Sequence, residues 1–184
     1  MTERSLSALV VDHMPDHYPI ARMLEQHCGA TVLQVRDGVE ALMALRTMRP
    51  HVVIADLNMA PFDGMDLIQM IRNGDDAHLD PTMPFIVMSG VRTEQSVMNA
   101  HSAGADTYLV KPTSLDRLAQ TVRKLISEPR RFHFDGRHLK RLHGKDAMSA
   151  VPHVRIRGCT RDLLHLLGRP PYVLETEPFL HAAH

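Results

Sequence analysis

The sequence predicts a doubly wound α/β fold in which a five-stranded parallel sheet is covered by helices on both faces. Three observations predict it. Short apolar runs alternate five times with helically periodic segments between residues 6 and 126. Parallel strands need such crossovers, whose right-handed turn distributes the helices over both faces. The composition, 44% hydrophobic and 23% charged over 184 residues, is that of a globular chain rather than a disordered or fibrous one. No apolar run approaches the ~18 residues of a membrane span, so a cytoplasmic protein with no membrane partner is expected. Cys28 and Cys159 form no CxxC pair, which argues against a disulfide framework and a cysteine zinc site.

Each element has its own signal. Leu6–Val11 (β1) is apolar and β-branched at its end, and stops at Asp12, His13 and Pro15 as a buried strand does. Ile20, Met23, Leu24 and Cys28 fall at helical spacing (α1), bounded by Pro19 and by Gly29 as a C-terminal stop. The pattern repeats with Thr31–Val35 (β2), Val39–Met48 (α2), His51–Ala55 (β3) and Met65–Arg72 (α3), the last ahead of Asn73-Gly74. Pro84–Met88 (β4) is followed by a helix capped by Thr93 and running to Ala103 (α4), and Thr107–Val110 (β5) by Ser114–Ile126 (α5).

The zero net charge conceals two unlike parts. Residues 1–128 hold 11 Lys and Arg against 16 Asp and Glu, while residues 129–184 hold 10 against 5 and seven of the thirteen histidines. A domain is therefore expected over 1–128, followed by a basic, largely irregular C-terminal extension over 129–184, mobile or weakly docked. Within it, residues 160–167 have the best helical pattern, with Leu163, Leu164 and Leu167 on one face. Phe132 and Phe134 interleave with basic residues, but no helix-turn-helix pattern of adequate length is present, so a nucleic-acid partner is not expected.

In this fold, chemistry gathers at the carboxyl ends of the strands. Asp12 after β1 and Asp56 after β3 would project at the same edge from neighbouring strands in a 2-1-3-4-5 order. Their mutual repulsion calls for a cation. A hard, oxygen-ligated ion such as Mg2+ takes one or two carboxylates, carbonyls and water. Lys111 after β5 can reach the same pocket as a point charge, and Ser89 after β4 brings a hydroxyl.

The segments VVD at 10–12, DLNMAPFDG at 56–64, MSG at 88–90 and YLVKP at 108–112 resemble the receiver domain of bacterial response regulators, over about residues 5–127. The resemblance implies a flavodoxin-like receiver fold and a phosphorylation-dependent signalling switch rather than an enzyme. Asp56 would be the phospho-acceptor, with Asp12, Asp56 and the backbone carbonyl of Asn58 as ligands of Mg2+. Ser89 would hydrogen-bond the phosphoryl group, Tyr108 would follow it as the switching aromatic, and Lys111 would pair with another phosphoryl oxygen across a cis Lys111–Pro112 bond. The implied partners are a histidine kinase or histidine phosphotransfer protein and an unknown downstream protein, and a homodimer through the α4-β5-α5 face is allowed.

One departure bears on the metal. His13 stands where the family usually has a second acid, and an imidazole suits Zn2+, Ni2+ or Cu2+ better than Mg2+. Asp16, just downstream, is a candidate replacement carboxylate. The competing reading is a pseudo-receiver, a phosphorylation-independent interaction module whose metal site His13 has disabled. An aspartyl phosphatase is disfavoured because Asn58, not Asp, lies two residues after Asp56. A dinucleotide enzyme is disfavoured because no Gly-rich loop follows β1.

Overall fold

A computed structural model describes residues 6–14, 19–74, 76, 78–134, 139–142, 153–156 and 172–176. Its first sheet has the order β2-β1-β3-β4-β5, all parallel. The strands are β1 Ser7–Val11, β2 Thr31–Val35, β3 Val52–Asp56, β4 Phe85–Ser89 and β5 Thr107–Val110. The helices are α1 Ile20–Cys28, α2 Gly38–Thr47, α3 Gly64–Asn73, α4 Glu94–Ala103 and α5 Leu115–Ser127.

The strands separate two apolar layers because successive side chains point to opposite faces. Leu9, Val11, Val53, Ala55, Phe85 and Val87 meet Ala41, Leu45, Leu67, Ile68 and Ile71 of α2 and α3 on one side. Ala8, Val10, Ile54, Ile86 and Met88 meet Ile20 and Leu24 of α1 and Leu118, Val122 and Ile126 of α5 on the other. Every residue of β3 and β4 is buried, as expected of central parallel strands. Caps delimit the helices. The Asp37 carboxylate accepts from the Val39 and Glu40 amides, Asp63 forms a capping box with Asp66, and Thr93 and Ser114 accept from Ser96 and Arg117.

A second sheet corrects the expectation of a largely irregular C-terminal extension. β6 Arg131–Phe134, β7 Leu139–Leu142, β8 His153–Ile156 and β9 Tyr172–Thr176 pair in the order β7-β6-β9-β8. Each strand is only four or five residues long and mixes charged with apolar residues, so average composition hides its alternation. Phe132, Val173 and Leu174 are nevertheless fully buried, and of the arginines that read as solvated charge Arg130 is buried and Arg141 half-buried. Arg72 of α3, Arg130 and Arg141 surround the buried carboxylate of Asp106, with contacts of 3.1, 3.6 and 2.6 Å, and all three guanidinium groups lie 5.4–5.6 Å from the Phe132 ring centroid. The helix expected over 160–167 and the carboxylate of Asp16 lie outside the described residues.

The α3-to-β4 connection, acidic in sequence, is also less exposed than its composition suggests. Leu79, Thr82 and Met83 are buried, because Arg72 and Arg130 donate to the carbonyls of Pro81 and Thr82.

Candidate functional site

At the carboxyl edge of the first sheet, backbone hydrogen bonds tie each strand end to its neighbour. The Asp12 amide donates to Val35, the Leu57 amide to Met88, and the Lys111 amide to Ser89, at 3.0, 3.1 and 2.8 Å. The ends of β1 and β2, and those of β3, β4 and β5, are thereby held side by side at this edge. Asp56 and Ser89 are the last residues of β3 and β4 rather than the first residues beyond them.

The Lys111 ammonium donates to Asp12 Oδ2 and Asp56 Oδ2, each at 2.8 Å. Asp12 is 1% exposed and Asp56 7%, so water screens their repulsion poorly and the cation offsets it. Burial pulls the Lys111 ammonium down, but its hydrogen bonds and ionic contacts with Asp12 and Asp56 outweigh burial and hold it above the ordinary lysine value. The remaining carboxylate oxygens have local donors: Asp12 Oδ1 accepts from the Met14 amide at 2.9 Å, and Asp56 Oδ1 from the Asn58 amide at 3.1 Å. The Lys111–Pro112 bond is cis.

Exposed His13 borders the same pocket. One ring nitrogen of His13 and one carboxylate oxygen each of Asp12 and Asp56 lie within 4.8 Å of one another. A pair of buried carboxylates beside an exposed residue fits a divalent cation that keeps several waters, which is how Mg2+ is held. The imidazole is the part of this donor set that Mg2+ does not favour.

Ser89 and Tyr108 are joined through a residue that the sequence does not single out. The Val91 amide donates to Ser89 Oγ at 3.1 Å, and the Tyr108 hydroxyl donates to the Val91 carbonyl at 2.8 Å. The first contact is a local hydroxyl turn of a recurrent kind. The second spans 17 positions and leaves no local trace.

Gly64 is a second unanticipated position. A Cβ there would collide with the backbone carbonyl oxygen of Asp56, so only glycine lets the start of α3 pack against the end of β3. Gly38 plays a similar part, its amide donating to Phe62 at 3.3 Å where a side chain would meet the Phe62 ring.

The response regulator receiver domain profile matches residues 8–123. Over 130 residues the chain is 30% identical to the transcriptional regulatory protein ZraR of Salmonella typhimurium, covering 71% of this chain and 28% of that protein. It is 29% identical over 127 residues to ZraR of Escherichia coli K12, covering 69% and 28%. The match thus spans little more than a quarter of the length of these relatives. Among solved structures, the receiver domain of the Francisella response regulator 1452 superposes with a TM-score of 0.58 at 26% identity, over 65% of this chain and 95% of that one. The signal receiver domain of a signal transduction histidine kinase from Syntrophus aciditrophicus gives 0.57 at 27% identity, over 66% and 89%.

Proposed function

The chain belongs to the response regulator receiver domain family, and on that premise we propose that it is a phosphorylation-dependent switch whose phospho-acceptor is Asp56. The donor would be a histidine kinase or a histidine phosphotransfer protein. The observation that carries this reading is the ammonium of Lys111 bridging two buried carboxylates at the sheet edge where β4 ends in Ser89, with the contacts of Ser89 and Tyr108 converging on Val91.

In the transfer, an oxygen of the Asp56 carboxylate forms an O–P bond as the N–P bond of the donor phosphohistidine breaks, the electron pair returning to the imidazole. Receiver domains bind Mg2+ at an acidic site, and such an ion, when bound, would supply positive charge against the phosphoryl oxygens. Asp12, Asp56 and the Asn58 carbonyl are the residues assigned to hold it. Lys111 pairs with a phosphoryl oxygen once Asp56 Oδ2 is esterified, and the Ser89 hydroxyl turns from the Val91 amide to another. Loss of that contact frees the β4–α4 loop and with it the Tyr108 hydroxyl.

The responsive element in this scheme is α4, whose fully buried contribution is Ala100 alone; thin burial marks the segments that shift at low cost. Exposed Met98 of α4 and Val91 of the β4–α4 loop supply apolar surface for a downstream protein or for a second copy that meets the α4-β5-α5 face. The reading assigns residues 1–128 to the receiver and 129–184 to a C-terminal extension beyond it. It places no step on nucleic acid or membrane, and no helix among the described residues is long and apolar enough to cross a membrane.

His13 in place of an acid favours the second reading, an interaction module that takes no phosphoryl group. Intact-mass measurement after incubation with Mg2+ and a small acyl phosphate separates the two. A hydroxylamine-labile phosphoryl adduct on the wild type, lost in Asp56→Ala, is expected. Its absence from the wild type, with recovery in His13→Asp, would establish the module instead.

A further inference from the structure

We propose that the pocket of Asp12, His13 and Asp56 is a site for a borderline divalent transition ion of the Mn2+, Fe2+, Co2+ and Zn2+ class, with an imidazole nitrogen of His13 as its third side-chain ligand. The proposal deepens the receiver reading, since it rests on the same carboxylate pair holding the metal.

Geometry carries it first. One ligand atom from each of the three residues lies within 4.8 Å of the other two. Around an ion with bonds of ~2.1 Å, ligand atoms are about 3 Å apart when adjacent and about 4.2 Å apart when opposite. Closing the three onto one ion therefore needs movements of an ångström or so, and the largest share falls to His13, which is exposed and can rotate without disturbing the core. Asp12 and Asp56 are fixed at strand ends by the Met14 and Asn58 amides, so the two anionic ligands are already placed.

Donor chemistry carries it second. Mg2+ holds oxygen ligands and surrenders water reluctantly. Exchanging a carboxylate for an imidazole removes one negative charge and one hard oxygen, which weakens Mg2+ twice over. The same exchange adds a nitrogen donor, which the later first-row ions bind better than Mg2+ does. Two carboxylates, one imidazole and water form a mixed donor set for a six-coordinate borderline ion, whereas the thiolates that would select a soft ion are missing among the described residues near the pocket.

Any such pocket prefers transition ions to Mg2+ in some measure, so the test is the share of the preference that depends on His13. Co2+ serves as the probe because its visible absorption reports nitrogen coordination. The full chain, as wild type, His13→Ala and His13→Asp, is titrated with Co2+ and separately with Mg2+. Each titration is repeated in an Asp56→Ala background to subtract ions taken by the seven histidines of residues 129–184.

The expected result is that His13→Ala weakens the Asp56-dependent Co2+ affinity by roughly tenfold or more. It should shift the Co2+ absorption and leave Mg2+ affinity within about twofold, while His13→Asp strengthens Mg2+ binding. Unchanged Co2+ affinity and spectrum in His13→Ala, or an equal loss for both ions, would overturn the proposal. Melting curves establish that the exposed substitutions leave the fold intact. Phosphoryl uptake is read separately: His13-dependent Co2+ binding without an adduct would sink the switch and keep the metal site. An adduct with His13-independent Co2+ binding would do the reverse.

Discussion

At Gly64 the smallest side chain in the protein sets the position of a chemical group that it does not touch with any functional atom. Its backbone approaches the Asp56 carbonyl so closely that a methyl group would displace the strand end. Overpacking of this kind typically costs about 1–3 kcal/mol. Gly64→Ala is therefore expected to lower the melting midpoint and to slow phosphoryl uptake at least about tenfold, since a 1 Å error in placing a nucleophile can cost far more. Intact mass over time checks the second effect, and normal uptake would detach Gly64 from the site. The meeting of Asp12, Asp56 and Lys111 was legible from residue type and spacing, because each ends or follows a strand and the fold brings strand ends together. Val91 was not legible. Its part is played by its peptide group, to which the identity of its side chain contributes nothing.

At the level of elements, the helices start where short polar side chains take up free amides. Asp63 is the case nearest the site, accepting from the Met65 and Asp66 amides at 2.7 and 2.9 Å. Removing such a cap costs about 1 kcal/mol, up to about 2, so Asp63→Ala should lower unfolding free energy in urea by that amount. A change near zero would mean that packing of α3, rather than its cap, holds the helix start. Boundaries from sequence were within one residue of the structure for most strands, since alternation and β-branching end sharply at Gly, Pro and Asp. The strands β6 to β9 were missed for a physical reason. A four-residue strand such as RFHF or LKRL carries too few apolar positions to show a period, and the partners of RFHF on β9 lie up to 44 residues away. Arg130 and Arg141 read as solvated charge because nothing local announces that Asp106 will face them.

Across the whole molecule, the two edges of the first sheet have opposite characters. The carboxyl edge places two carboxylates around one lysine, and the amino edge places three arginines around one aspartate and covers them with the second sheet. Burial pulls Arg72 down to about 10 against the opposing attraction of Asp106. Burial pushes the Asp106 carboxyl upward, but Arg130, Arg72 and Arg141 outweigh it and hold it below the ordinary aspartate value. Removing that carboxylate leaves buried cations uncompensated, a loss of about 3–5 kcal/mol, so Asp106→Ala should be among the most destabilising single changes here. The sign with pH follows from the same depression. An unfolded aspartate binds its proton near pH ~3.9, and the folded one only at lower pH. The contribution is complete above that range and is lost as pH falls through the folded value. Urea unfolding at several pH values should show a shallower acid decline in Asp106→Asn than in the wild type, and parallel declines would contradict it. Whether charge on Asp56 is read by Ser89 and Tyr108 through Val91 is decided by amide hydrogen exchange with and without a small acyl phosphate. Exchange should rise across residues 89–103 in the phosphorylated wild type, stay at the unmodified level in Asp56→Ala, and leave β6 and β9 unaffected. A wild type that carries the phosphoryl group on Asp56 yet exchanges residues 89–103 as before would show that Ser89, Val91 and Tyr108 do not respond to it.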